Sequence, residues 1–119
     1  MAIKPGKSSW FHIALPTPVI VGDVRTKLEK VFLMFSTQSG NIRNVHVFDG
    51  SAKLKEFNGL DLKGEHRSAI DSQNFFILPN PSVVFGIGIT FLFVANIGFD
   101  SAIPEPRLIV AAAGGDYRT

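Results

Sequence analysis

Trp10 and His12 stand two residues apart, a spacing that places both side chains on one face of an extended chain. An indole beside an imidazole can stack on a sugar ring or on a partner's proline, because tryptophan joins a large apolar area to one N–H donor. Pro16 lies close by and could border the same surface. His46 and Asp49, in the stretch NVHVFDG, could add a second imidazole and a carboxylate. Trp10, His12, His46 and Asp49 are therefore the candidate ligand-binding residues. Each also has a plainer explanation, since Trp10 could close one end of the core and Asp49 is suited to the turn that Gly50 would complete.

Other chemistry finds less support. His12, His46 and His66 lack the i, i+4 spacing of a helical metal site and could meet only through the fold. Asp61, Glu65 and Asp71 share a polar segment that could hold calcium, but their spacing does not match a calcium loop. Gly86-Ile87-Gly88 has neither a following helix nor a lysine to serve a phosphate. There is no cysteine, so disulfides and thiolate sites are excluded, and no serine sits in a nucleophile elbow. Asp116 follows a Gly-Gly pair and reads as a turn residue. No metal, cofactor or catalytic residue is expected.

The elements that would carry these residues read as strands. From Ser72 to Phe99 no side chain is charged, a length that approaches a membrane span of about 20 residues. Period decides against a helix. Odd positions from Val83 to Phe99 are all apolar, while even positions mix Ser82, Val84, Gly86, Gly88, Thr90, Leu92, Val94, Asn96 and Gly98. Alternation of this kind belongs to a strand, and three glycines would weaken a helix by roughly 1 kcal/mol each. The pattern predicts a strand over Val83–Val94 with Phe85, Ile87, Ile89, Phe91 and Phe93 facing the core. Leu92 and Val94 then lie on the reverse face and need cover, which makes them candidates for a homo-oligomer interface.

Further strands are expected at Trp10–Leu15, Val19–Val21, Asn41–Phe48, Ala52–Phe57, Phe75–Leu78 and Arg107–Ala112. Asp49-Gly50-Ser51 joins two of them as a hairpin. The segment from Val24 to Phe35 is ambiguous. Val24, Leu28, Val31, Phe32 and Phe35 could share a helical face capped by Asp23, but Val31-Phe32-Leu33-Met34-Phe35 is apolar on both faces of a strand, and strand is favoured. The expected fold is all-β: a single antiparallel β-sandwich, jelly-roll or immunoglobulin-like, of about seven or eight strands over residues 10–119, with residues 1–9 as a tail.

Composition fits that fold. Eleven phenylalanines against one tyrosine and one tryptophan indicate rings used as core filler. Twelve basic against ten acidic residues give +2, with the basic residues scattered, so neither nucleic acid nor a membrane is an expected partner. The start carries no signal-peptide core, and a cytoplasmic location is expected.

The stretches WFHIALPTPVIVGDVRTKLEKVFLMF, IRNVHVFDG, FNGLDLKGEH and AAAGGDY resemble a family of small uncharacterised proteins with a WFH…PTPVI opening, an N-[IV]-H-V-[FWY]-D-G middle and an A-G-x-D-[FY] ending. The resemblance spans about residues 10 to 117. It implies an all-β domain and brings no activity or site residue. The function expected is a non-catalytic β-sandwich that self-associates or binds a partner. The alternatives are a carbohydrate-binding module using the Trp10 surface, or a small hydrolase or isomerase with a cleft site.

Overall fold

A computed structural model describes residues 8–22, 24–95 and 107–118. None of these residues is helical, and they form ten antiparallel strand segments, three of only two residues. One sheet has the order β1 (Ser8–Ala14), β9 (Ile87–Ala95), β5 (Gly40–Asp49), β6 (Ala52–Phe57). The other runs β10 (Arg107–Arg118), β4 (Lys27–Gln38), β7 (Glu65–His66), with β8 (Phe75–Ile77) also paired to β4. A short ribbon, β2 (Ile20–Val21) with β3 (Val24–Arg25), lies apart.

The core lies between the two sheets, as expected of a sandwich. Leu28, Val31, Leu33, Phe35 and Leu108 enter from one side, and Val45, Val47, Ile89, Phe91 and Phe93 from the other, all essentially without solvent contact. Alternation drives this, because every second residue of a strand shares a face. β4 settles the ambiguity at Val24–Phe35 in favour of strand. Val24 is half exposed, and Phe32 faces away from buried Val31, so the shared helical face does not exist.

The chain passes from one sheet to the other between β4 and β5 through Ser39, whose φ of 53° is left-handed. Gly40 follows because a Cβ there would lie 2.4 Å from Phe93 Cζ and 2.8 Å from the Val94 carbonyl oxygen. A glycine is required by the close approach of β9.

Several boundaries differ from the sequence reading. The last strand does not stop at Ala112 but runs to Arg118, and Asp116, expected in a turn, pairs with Lys30 in its ladder, because Gly114 makes room for the Phe32 ring and lets the strand continue. Ser8 and Ser9, placed in the tail, begin β1, while residues 1–7 of that tail lie outside the described residues. The long strand starts at Ile87 and not at Val83, and Phe85, expected in the core, is 75 % exposed. The cause is local: three consecutive amides at residues 84–86 converge on one carboxylate, which a pleated strand cannot do. Ile97 and Phe99 lie outside the described residues.

Candidate functional site

The outer face of the first sheet carries most of the candidate residues. Trp10 pairs with Leu92 and Leu92 with Asn44, and one row further His12, Thr90 and His46 lie abreast. Trp10 leans diagonally over β9, so that its ring centroid is 5.2 Å from that of His46, with the planes tilted by 47°. Aromatic side chains reach such diagonal neighbours readily. The indole remains 52 % exposed, so one side of it is open to solvent.

His12 leans the same way, toward the row of Gly88, and its Nδ1 lies 2.9 Å from Thr90 Oγ1. The glycine is what admits it, because a Cβ at residue 88 would come within 2.7 Å of the imidazole Cε1.

A polar ladder continues from His46 toward β6. Asn58 Oδ1 accepts hydrogen bonds from Asn44 Nδ2 at 2.6 Å and from His46 Nε2 at 3.1 Å. Asn58 Nδ2 in turn donates to Glu56 Oε2 at 3.1 Å, and Glu56 Oε1 takes the Lys53 ammonium. The hydrogen bonds from Lys53 and then Asn58 hold the Glu56 carboxyl below its ordinary range. Lys53 also lies 5.8 Å from the centroid of Phe48. An aromatic half and an amide and carboxylate half thus share one sheet face.

Asn44, Asn58 and Glu56 were missed in the sequence, yet a signal was present. Asn44 and His46 are two apart in β5, and Glu56 and Asn58 are two apart across the hairpin, so period two places each pair on one face.

Asp49 is not part of this surface. It points inward from the last position of β5, is 4 % exposed, and accepts the N–H of Val84 at 2.7 Å, Phe85 at 2.8 Å and Gly86 at 3.0 Å. Burial works against its charge, but the three amides and the nearby Arg25 outweigh it and keep the carboxyl below its ordinary range. Leu92 and Val94 do lie on the face with Trp10, flanked by β1 and β5, and the chain itself covers them in part.

The three carboxylates considered for calcium go to separate partners. Asp61 meets Asn41 and Lys63, Glu65 meets Arg67, and Asp71 meets His66. Among the described residues no three His, Asp or Glu side chains gather at one point. His66 sits between Asp71 Oδ2, 2.6 Å from its Nδ1, and the Lys63 carbonyl, 2.7 Å from its Nε2. The Asp71 hydrogen bond, followed by that carbonyl, raises the His66 pKa against the opposing effect of burial.

The model of a family of unknown function, DUF6623, matches residues 2–115. The chain belongs to that family. Its coverage includes the whole Trp10–Glu56 surface and the Asp49 anchor, so both are features of the DUF6623 domain as this chain builds it. No curated protein and no solved structure matches the chain. No helix among the described residues is long and apolar enough to cross a membrane.

Proposed function

We propose that this DUF6623 domain is a non-catalytic binding module whose first sheet presents a platform for a neutral, hydroxyl-rich ligand, a short glycan being the chemical class that fits. The observation that carries the reading is the half-exposed Trp10 ring, braced by His46 and continuous with the Asn44–Asn58–Glu56 ladder. A pyranose has a C–H face that packs on an aromatic ring and a rim of hydroxyls that both donate and accept. Carboxamides supply both functions, and an ionised Glu56 supplies a strong acceptor. The platform is shallow and braced by its own hydrogen bonds, which supports binding without chemistry.

Trp10 is the single tryptophan, so its fluorescence reports the site directly. Titration with neutral oligosaccharides chosen from a glycan array should give a saturable change in that emission. Asn44→Ala should weaken binding while leaving thermal stability near wild type, and Trp10→Ala, followed by calorimetry, should abolish it. If no glycan in the array gives a saturable response, the reading is wrong.

A further inference from the structure

The described surface holds a second pair of features that no role above absorbs: a fixed aromatic knob and an apolar groove on a different face. Phe85 is 75 % exposed, yet its backbone is pinned by Asp49 and its ring rests against the β5–β6 turn, where a Cβ at Gly50 would come within 3.1 Å of it. Val84 beside it is also half exposed. A large ring held rigidly in water loses little conformational freedom on docking, which is what an interface anchor needs.

The groove lies on the outer face of the second sheet. β10 places Ala112 and Gly114 opposite Met34 and Phe32, so small residues stand beside large ones and a trough opens between them. Ile70 and Phe75 form its walls, and it encloses about 410 Å³. Its rim carries Lys30 and Asp116, 3.4 Å apart and both partly exposed. Sandwich faces that meet only water normally alternate to polar residues, whereas this one shows Phe32, Met34 and Phe75, with Ile77 66 % exposed at the next row.

We propose that the protein assembles head to tail, with Phe85 of one copy seated in the groove of the next. Size and polarity match, since the trough takes a phenyl ring with room for Val84 beside it. Charge does not oppose the fit: Arg25, exposed and bonded to the Val83 carbonyl at 2.7 Å, flanks the knob, and the rim of the groove carries Asp116 already paired with Lys30, a neutral pair that the guanidinium can approach from the carboxylate side. Knob and groove cannot meet within one molecule, because Phe85 leans on the first sheet and the groove faces outward from the second. Two different patches that complement each other make a heterologous contact, which propagates from copy to copy.

The test uses sedimentation velocity from low to high micromolar protein. Wild type should show masses at whole multiples of 13.0 kDa that grow with concentration. Phe85→Asp, which lacks the knob, and Ala112→Arg, which blocks the groove, should each be monomeric alone. Mixed in equal amounts they should form a dimer and stop there, since each supplies what the other lacks. Circular dichroism checks folding, and Ile70→Arg on the exposed groove wall replaces Ala112→Arg if that variant unfolds. A monomeric wild type at high micromolar concentration overturns the proposal, even if its groove takes up a naphthalene sulfonate dye as a small-molecule site would. A Phe85→Asp variant that still assembles, or a mixture that stays monomeric, overturns it equally. None of these substitutions touches the Trp10 platform, so the glycan titration stands or falls separately.

Discussion

Asp49 Oδ1 accepts the backbone N–H of Phe85 at 2.8 Å, and that bond decides where the phenylalanine side chain goes. Val84 and Gly86 donate to the same carboxylate, so residues 84–86 curl around it and leave the strand path. A charge then caps the entry to β9, and Phe85 is turned out to solvent.

Removing that carboxylate should loosen the entry to β9. Asp49→Ala leaves three amides without an acceptor, and orphaned buried donors cost about 1–3 kcal/mol each before water reaches them, so a loss of roughly 3 kcal/mol is expected. Asp49→Asn keeps one acceptor oxygen and should lose less. Because the folded-state pKa is lowered below 3.8, the stabilisation is present above that pH and is lost as pH falls through the folded value. Urea denaturation of both variants at neutral and acid pH measures the effect. Equal stabilities for Asp49→Ala and wild type would show that the amides need no carboxylate.

Phe91 and Phe85 should respond in opposite ways to the same truncation. Phe91 is 1 % exposed and stacks on Phe11 with centroids 5.5 Å apart, so Phe91→Ala should cost roughly 3–5 kcal/mol. Phe85→Ala removes a ring already in water and should stay within about 0.5 kcal/mol when the monomer is measured at low concentration. Chemical denaturation at matched concentrations decides, and a large loss at Phe85 would return that residue to the core.

Much of this was legible in the sequence because alternation is a local property. Ile89, Phe91 and Phe93 against Thr90, Leu92 and Val94 require no knowledge of partners, and Phe11 and Ile13 separate from Trp10 and His12 for the same reason. Phe85 was misplaced because its surroundings are set by Asp49, 36 residues away, through side-chain to backbone bonds that hydropathy does not encode. The ladder from His46 to Glu56 depends likewise on which residues β5 and β6 bring abreast, which is a matter of register. The short β7 was unreadable, since two polar residues, Glu65 and His66, carry no period at all.

The His66–Asp71 pair should make the loop before β8 sensitive to pH in both directions. The His66 pKa is raised above 6.5, so its share of stability is full below 6.5 and is lost as pH climbs through the raised value. The Asp71 pKa is lowered below 3.8 by His66 and then by the Gln73 amide, so its share is present above 3.8 and disappears as pH falls through the lowered value. An NMR titration should find the His66 midpoint above 6.5, and Asp71→Asn should bring it down. A midpoint at or under 6.5 in the wild type would mean that the imidazolium is not held by the carboxylate.

Gly40 and Gly86 give the sharpest contrast between two glycines with ordinary backbone angles. At Gly40 a methyl group would overlap the Phe93 ring and the Val94 carbonyl oxygen, and neither can yield: Phe93 is fully buried, and Val94 lies in the β9 ladder that Gly40 itself joins by pairing with Ala95. Gly40→Ala should therefore cost roughly 1–3 kcal/mol through forced displacement of β9. At Gly86 nothing lies within 4 Å of the new methyl, and the N–H that Asp49 holds is retained, so Gly86→Ala should be neutral or gain about 0.4–1 kcal/mol by restricting the unfolded chain. Urea midpoints rank the two, and amide exchange at Asn41, which stands opposite Val94 in the ladder, should quicken only in Gly40→Ala. If Gly86→Ala proves the worse of the two, the residue is needed for a backbone motion at the Asp49 anchor and not merely for its shape.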